Sequence, residues 1–389
     1  MLTPWERVIR ELEHEEPDRV PWGGENVSWP TADQVLRRPA LTGMGGRLRI
    51  IRLQSQGRSA EAFAGIQRDI YDLTKKLKMD LVPVHTLPSP DDSGPRMISE
   101  NEWTYDGKTM LRSLDGNLLS IEVDIDTGRR VKHDLEDLRA LVDGSHRSRS
   151  ELDQSSTEVL ERLSPLIRRL KRKLDVAVML PVWNCFLTHP DWLTTFLRAF
   201  HLEPKLVFEF ERSQARKAIS LGKAGIDAGC DVIGIGGDLA YRKGPMISPE
   251  RYRTHILPFM KRESRAIHRK GAYSMIASDG NLMPIGEEYF IQSEVDAVRE
   301  IEPGPMDRRK VKHLFGSRVC LNGNVDCGRT LGLLPPEEAE RETKECIETW
   351  SPGGGHIMSS SNTISPNVKP ENFLLMWRAI FRYGKYAHA

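Results

Sequence analysis

Short apolar runs alternate with amphipathic helical segments along most of the chain. Three such runs, DVIGIGGD, AYSMIASDGN and AVREIEP, lie between Asp231 and Glu302 and are separated by segments of helical periodicity. Strand–helix–strand units of this size favour a parallel sheet. Residues that fit a strand are 19–26, 80–86, 175–182, 231–238, 272–279, 297–302, 318–325 and 355–361.

Eight strands with intervening helices predict a TIM (β/α)8 barrel. A doubly wound open sheet is the alternative. That fold usually has a glycine-rich phosphate-binding turn after its first strand, and the sequence has none there. We therefore expect the barrel.

Residues 98–132 depart from the alternating pattern. They contain Asp106-Gly107 and Asp115-Gly116, each flanked by residues with high strand propensity. Asp-Gly pairs favour the tight turns of β-hairpins. We predict a small antiparallel β-hairpin insertion over 98–132, inside a single barrel domain that spans residues 1–389.

Composition narrows the classes of function. The chain has 56 basic and 55 acidic residues, so its net charge of +1 gives no basic surface for nucleic acid. The N-terminus is too charged for a signal peptide, and no apolar run reaches the ~18–20 residues that span a bilayer. We expect a soluble cytoplasmic protein. The five cysteines are scattered without a CxxC pair, which indicates reduced thiols.

Polar side chains follow the apolar runs where the predicted strands end. Asp238, Asp279 and Glu302 end three successive runs. Because the C-terminal ends of parallel strands meet at one mouth of a barrel, we predict that these acids are catalytic and that they line one cavity together with Asn281. The predicted substrate-binding residues are the amides near strand ends: Asn184, Asn281, Asn324 and Asn362. His356 begins its strand, so we expect it at the bottom of the barrel in a structural role.

The same acids have other interpretations. Asp279-Gly280-Asn281 is good turn chemistry, and Asp238 fits a helix N-cap or an ion pair. Neighbouring buried carboxylates raise each other's pKa and serve as general acids, but they also hold metals or bind cationic groups. The residues alone leave these uses open.

Several segments together resemble the uroporphyrinogen decarboxylase superfamily, which also contains corrinoid-linked methyltransferases. They are TPWERVIRELEHEEPDRVP, GCDVIGIGGDLAYRKGPMISPERYRTHILPFMKR, SDGN, REIEPGPMD, LNGNVD and GGGHIMSSSNTISPNVKPEN. The resemblance covers the N-terminal segment and most of residues 175–389. It implies a TIM barrel, in agreement with the strand count.

The sequence lacks two features of that superfamily. Uroporphyrinogen decarboxylases have an arginine-rich RQAGRY segment after the first strand, which binds substrate carboxylates; here the region is GGENVSWPTADQ. Thiol-methylating members bind zinc through His-x-Cys and a later Cys, where this chain has Ala277, Asp279 and a position near Asn362. Any metal would therefore have oxygen or mixed ligands. The candidate ligands are Asp238, Asp279 and Glu302, with Cys185 and Cys327 as weaker ones.

The remaining branch of the superfamily resembles the first methyltransferases of corrinoid systems. This resemblance implies methyl transfer from an O- or N-methyl substrate to a corrinoid on a partner protein. Decarboxylation of uroporphyrinogen or a smaller carboxylic acid is the alternative, with Arg242 and Lys243 near Asp238 as its cations. A binding barrel without enzymatic activity is the third hypothesis. The expected partners are a small-molecule substrate and a corrinoid-binding protein, and a homodimer is compatible with the sequence.

Overall fold

A computed structural model describes residues 1–43, 46–85, 94–104, 109–113, 120–145, 149–182 and 189–386. Asn184, Cys185 and the two predicted Asp-Gly turns lie outside these residues. Among the described helices, none is both long and apolar enough to cross a membrane. The four described cysteines are free thiols.

The strands form a central parallel sheet, an antiparallel sheet and a short hairpin. The parallel sheet has the order β1-β6-β7-β10-β11-β12-β13, the antiparallel sheet the order β2-β3-β4-β5, and β8 pairs with β9. In chain order the strands are β1 (Leu81–Pro83), β2 (Arg96–Ser99), β3 (Glu102–Thr104), β4 (Thr109–Ser113), β5 (Ser120–Asp124), β6 (Ala177–Pro181), β7 (Val232–Ile235), β8 (Ala240–Tyr241), β9 (Gly244–Pro245), β10 (Tyr273–Ala277), β11 (Ala297–Arg299), β12 (Cys320–Val325) and β13 (His356–Ser360).

Helices connect the parallel strands and surround them. They are α1 (Pro4–Leu12), α2 (Thr31–Leu36), α3 (Arg47–Ser55), α4 (Ser59–Leu77), α5 (Leu135–Gly144), α6 (Arg149–Leu174), α7 (Leu193–Leu202), α8 (Pro204–Ala228), α9 (Pro249–Arg251), α10 (Leu257–His268), α11 (Arg308–Phe315), α12 (Pro336–Trp350) and α13 (Pro370–Tyr383). The α8 helix ends at Gly229, whose φ of 107° suits the left-handed cap that only glycine adopts readily.

The segment predicted as the first strand closes the barrel through a short stretch of pairing. Trp22 pairs with Met358 of β13 and Gly23 with Leu81 of β1, both in parallel. The Gly23 N–H donates to the Met358 carbonyl at 3.0 Å, and the Gly24 N–H donates to the Leu81 carbonyl at 2.9 Å. A Cβ on Gly23 would lie 2.1 Å from the Leu81 carbonyl oxygen, so only glycine fits. The barrel fold is confirmed.

The antiparallel sheet confirms a β insertion and is larger than the sequence indicated. Four strands are present, and the first begins at Arg96, before residue 98. Trp103 pairs opposite Leu111, and Met110 opposite Val123. The assignment of one domain to residues 1–389 stays a prediction.

Helix α1 closes the bottom of the barrel. Thr3 and Glu6 form a capping box, in which each side chain accepts a hydrogen bond from the other residue's backbone N–H. Val8 and Leu12 pack against a buried layer of barrel side chains. That layer comprises Leu81, Ala177, Met179, Val232, Met275, Ala297, Cys320 and Ile357. The opposite end carries the loops after the strands, where the predicted site residues lie.

Candidate active site

A cavity of about 1830 Å³ lies at the C-terminal ends of the barrel strands. The predicted catalytic acids Asp238, Asp279 and Glu302 all line this cavity, and so does Asn362. The structure therefore brings together four predicted site residues from the ends of different strands. These four residues follow β7, β10, β11 and β13 in the chain.

Asp279 is the acid with the most perturbed environment of the three. Its Oδ2 accepts a hydrogen bond from Asn362 Nδ2 at 2.8 Å. Burial, together with repulsion by Asp238, Glu302 and Glu25, raises the pKa of Asp279 to about 7, although the Asn362 bond opposes the shift. A carboxyl that titrates near neutral pH can hold and release a proton under physiological conditions.

Asp238 lies in the loop after β7, with its side chain open to the cavity. Its carboxylate accepts a hydrogen bond from the backbone N–H of Asp279, and burial by the cavity walls raises its pKa. The Leu239 N–H donates to Ser278 Oγ at 2.9 Å, which ties the two loops together. The relative position of the two acids is thus fixed by direct bonds between their loops.

Glu302 holds the Asp279 turn in place. Its Oε2 accepts from the Gly280 N–H at 3.1 Å, and its Oε1 accepts from Arg242 Nη1 at 2.9 Å. Gly280 has a φ of 83°, and a Cβ there would lie 2.7 Å from backbone atoms of the β8–β9 hairpin. The Asp-Gly turn therefore packs against that hairpin, and Glu302 acts as a positioning residue as well as part of the cavity wall.

Three charged residues that were not predicted from the sequence, Glu25, Arg299 and Glu300, lie beside these acids. Arg299 has a side chain only 3% exposed, and it pairs with Glu25 and with Glu300, the latter at 2.9 Å. Burial raises the pKa of both carboxyls, and the Arg299 charge opposes that shift. Repulsion by Glu25, Asp279 and Asp238 raises the pKa of Glu300 further.

A signal for this pair was present in the sequence. Arg299 and Glu300 are separated from Glu302 by Ile301 alone in AVREIEP, but the predicted strand continued to residue 302. In the structure β11 ends at Arg299, and Glu300 has a φ of 61°. This left-handed backbone is costly for a residue other than glycine, and strained residues of this kind cluster at functional sites.

His85, just after β1, also lines the cavity. Its Nε2 lies 2.6 Å from Asn26 Nδ2, which is a hydrogen-bond donor. Burial and the nearby Arg299 charge lower the pKa of His85 to about 4. The imidazole is therefore neutral at physiological pH. Nothing in its sequence context pointed to the cavity except its place within the predicted strand 80–86.

The other predicted substrate-binding amides are placed elsewhere. Asn281 Oδ1 accepts from the Met283 N–H at 3.1 Å and supports the turn after Asp279. Asn324 is fully buried; its Nδ2 donates to the Ile301 carbonyl at 3.0 Å, and its Oδ1 accepts from Arg308 Nε at 2.8 Å. Neither belongs to the cavity lining. Asn184 lies outside the described residues.

The cavity acids do not form a compact metal site. Among the residues that the structure describes, one group has three donor atoms within 4.8 Å of one another, namely Glu122, His189 and Asp191. Its donors are already bonded: Asp191 pairs with Arg130, and Glu122 Oε2 lies 2.8 Å from His133 Nε2.

The positions of the zinc ligands in thiol-methylating relatives were expected at Ala277, Asp279 and near Asn362. Ala277 lines the cavity but has no donor atom. Asp279 is bonded to Asn362. These residues do not fit a thiolate-bound zinc ion, which needs soft ligands.

The similarity to a known family lies in the second half of the chain. Residues 191–383 match the family model described as uroporphyrinogen decarboxylase (URO-D). This region contains β7 to β13 and therefore Asp238, Asp279, Glu302 and Asn362. Over these residues the chain is similar to the uroporphyrinogen decarboxylase family.

The individual relatives of this chain are distant. The chain is 30% identical to a uroporphyrinogen decarboxylase of Pseudoalteromonas translucida over 77 residues, which cover 20% of this chain and 21% of that protein. It is 28% identical to a uroporphyrinogen decarboxylase of Chlorobium luteolum over 157 residues, 39% of this chain and 42% of that one. The aligned segments thus span less than half of these relatives.

A solved structure covers the whole fold. The structure of a methyltransferase from Methanosarcina mazei superposes with a TM-score of 0.66 and 16% identity, over 98% of this chain and 99% of that chain. At this identity the likeness establishes the shared barrel fold.

Proposed function

We propose that the protein transfers a methyl group from an O- or N-methyl substrate to a corrinoid on a partner protein, with Asp279 as the proton donor. The observation that supports this most is the placement of Asp279. It lies in a large cavity at the barrel mouth, is oriented by Asn362, and titrates near neutral pH.

The reaction needs a proton on the atom that loses its methyl group. When the methyl–oxygen or methyl–nitrogen bond breaks, the electron pair stays with oxygen or nitrogen, and protonation makes that atom a better leaving group. The reduced corrinoid supplies the electron pair of the new bond to the methyl carbon. In this scheme Asp279 gives the proton, while Asn362 and Glu302 keep its carboxyl in position.

The size of the cavity supports a large second substrate. Pockets for small ligands usually measure ~300–1,000 Å³, and this one is about 1830 Å³. A corrinoid on a partner protein has to approach the methyl donor from the open end of the barrel. The solved methyltransferase with the same fold supports methyl transfer as the type of chemistry.

Decarboxylation is the second candidate function, and the family model and the curated relatives favour it. A substrate with several carboxylates needs guanidinium groups that are ready to bind them. In this cavity Arg242 already pairs with Glu302, Arg299 with Glu25, and Arg308 with Glu342. A polycarboxylate would have to displace these internal partners, which favours methyl transfer, although Arg47, Arg329 and Arg341 also line the cavity.

The test incubates the protein with chemically reduced cobalamin and separate panels of methyl ethers, methylamines and carboxylic acids. The absorption change from reduced to methylated cobalamin measures methyl transfer, and released carbon dioxide measures decarboxylation. We expect methylated cobalamin with at least one methyl donor. Carbon dioxide release from an acid, with no methylation from any donor, would contradict the proposal and favour the second candidate.

A further inference from the structure

The inner cavity around Asp279 contains more negative than positive side chains. The acids that line it are Asp238, Asp279, Glu300 and Glu302, and the charge of the buried Glu25 also acts on Asp279. Among the residues described around Asp279, the positive groups are Arg299 and Arg242, and His85 is neutral. If Glu300 and Asp279 are both protonated, three carboxylates remain. They are Glu25, Asp238 and Glu302, and they outnumber the guanidinium groups of Arg299 and Arg242.

Both guanidinium groups already have partners on this chain. Arg299 is buried between Glu25 and Glu300, so its charge is balanced within the barrel wall. Arg242 is bonded to Glu302, and its side chain is 75% exposed, so solvent screens it. The acids that remain facing the cavity are Asp238 and Asp279. The charges that act most on Asp279 are the acids Asp238, Glu302 and Glu25, and the Arg299 charge also acts on it.

The same cavity also contains an apolar surface. Leu41, Ile50, Ile66, Ile70 and Phe210 line it together with the acids. A ligand with methyl or alkyl groups buries its carbon surface against such residues. Excess negative charge and an apolar surface together suit a cation that carries methyl groups.

We infer that the methyl donor is an N-methylated amine that reacts as an ammonium cation, rather than a neutral ether or an anionic acid. This inference rests on the proposed methyl transfer and names its substrate class. The amine either enters as a cation or takes the Asp279 proton inside the cavity. Both routes lead to an N-methylammonium group beside ionised Asp279.

The methyl transfer from this species is balanced. The carbon–nitrogen bond breaks with its electron pair left on nitrogen, so the product amine departs neutral. The reduced corrinoid of the partner provides the electron pair of the new bond to carbon. Because the nitrogen is already cationic, no further proton is needed when the bond breaks.

A cation in the cavity also changes the protonation of the Asp279 carboxyl in the cavity wall. A positive charge near Asp279 opposes the repulsion by Asp238, Glu302 and Glu25 that keeps this carboxyl protonated. Binding of a permanent cation near pH 7 should therefore release a proton. A neutral ligand of the same shape should release none, which separates the charge effect from burial alone.

Titration calorimetry with three matched probes tests the inference. The probes are choline, its uncharged carbon isostere 3,3-dimethylbutan-1-ol, and the anion 3,3-dimethylbutanoate. We expect choline to bind at least about tenfold more tightly than the isostere, because one net charge at short range is worth at least that factor. Titrations in buffers of different ionisation enthalpy report the proton release. Equal binding of choline and the isostere would overturn the inference.

Two variants sharpen the result. Asp279→Asn should abolish the proton release. Choline should still bind more tightly than its uncharged isostere, because the other acids remain. Arg242→Gln removes a positive charge from the rim and should tighten choline binding, whereas it should leave the isostere unchanged. If Arg242→Gln weakened choline binding, the charge argument would be wrong even if Asp279→Asn failed to fold.

The outcome separates the inference from the proposed reaction. If the protein prefers choline but transfers no methyl group to cobalamin from any donor, the inferred ligand class stands and the proposed methyl transfer is wrong. If the protein transfers methyl groups from ethers only and does not prefer choline, the proposed methyl transfer stands and the inferred ligand class is wrong.

Discussion

The two ends of the barrel each hold a carboxyl with a raised pKa, but their surroundings differ. At the bottom, Glu11 of α1 is fully buried and accepts hydrogen bonds from Tyr386 OH at 2.7 Å and from the His356 N–H at 2.8 Å. Burial is the main cause that raises its pKa to about 8, and its hydrogen bonds oppose the shift. At the mouth, Asp279 has a pKa of about 7, to which like charges contribute as well.

The comparison shows which perturbed carboxyls indicate function. Glu11 is enclosed by the packing of α1 against the barrel, and its neighbour His356 is a neutral, buried imidazole bonded to the Gly323 carbonyl at 2.8 Å. Asp279 opens into a cavity that a substrate can enter. A raised pKa therefore points to a site only where mutual repulsion of acids and access to ligand occur together.

The largest expected effect is a difference in the rate of methyl transfer between variants of these two carboxyls. Asp279→Asn should lower the rate of methyl transfer by about 10²–10⁴-fold, the usual range for loss of a general acid. Glu11→Gln is the matched control, since it also replaces a buried carboxyl of raised pKa, and it should retain the rate. Single-turnover transfer to reduced cobalamin measures both. An equal loss in the two variants would mean that the Asp279 effect is structural.

The second prediction concerns the buried arginine between the acids of the mouth. Arg299→Met should lower the free energy of unfolding by about 3–5 kcal/mol, because Glu25 then remains buried without its partner. Urea denaturation followed by circular dichroism measures the loss. The double variant Glu25→Leu/Arg299→Met should recover much of it, since no unpaired charge remains from that pair. No recovery would show that Arg299 stabilises through Glu300 or through packing.

The barrel was predictable because its signals are local. Apolar runs, the capping box of α1 and the Gly229 cap each depend on a few neighbouring residues. The positions of Asp238, Asp279 and Glu302 in one cavity also followed, because strand ends of a parallel barrel must meet.

The pairing among the site residues was not predictable from the sequence. Glu25 and Arg299 are far apart in the chain, and only closure of the barrel brings them together. The predicted strands extend beyond the C-terminal ends of the observed ones, because backbone turns at Gly236 and Glu300 end β7 and β11 early. Asn281 and Asn324 have the same residue type and strand-end location as Asn362, but which amide faces the cavity depends on tertiary packing.

The third prediction uses pH to test the bottom of the barrel. The pKa of Glu11 is about 8 in the fold against an ordinary value of 4.5, so the folded state keeps its proton to higher pH than the unfolded state. The free energy of unfolding should therefore fall as the pH rises from 4.5 to 8, by an amount on the order of a few kcal/mol.

Glu11→Gln should remove that pH dependence. The glutamine amide of this variant fits the site, because its N–H can donate to the Tyr386 oxygen while Tyr386 donates to the Ser351 carbonyl, which is 3.1 Å away. Denaturation curves at several pH values between 4.5 and 8 measure the slope for both proteins. An unchanged slope in the variant would assign the pH dependence to other groups.

The smallest expected effects compare two asparagines that look alike in the sequence. Asn362→Ala removes the hydrogen bond that favours ionised Asp279, so the pKa of Asp279 should rise further. Where Asp279 supplies the proton, as in the proposed function, transfer needs its protonated form. The rate then falls as the pH rises, and in this variant the fall should occur at higher pH. Asn281→Ala should leave that profile unchanged and lower the free energy of unfolding by about 0.5–2 kcal/mol, as for loss of a capping side chain. Rate profiles from pH 6 to 9 measure both variants, and a shift with Asn281→Ala but none with Asn362→Ala would reverse the assignment of the two amides.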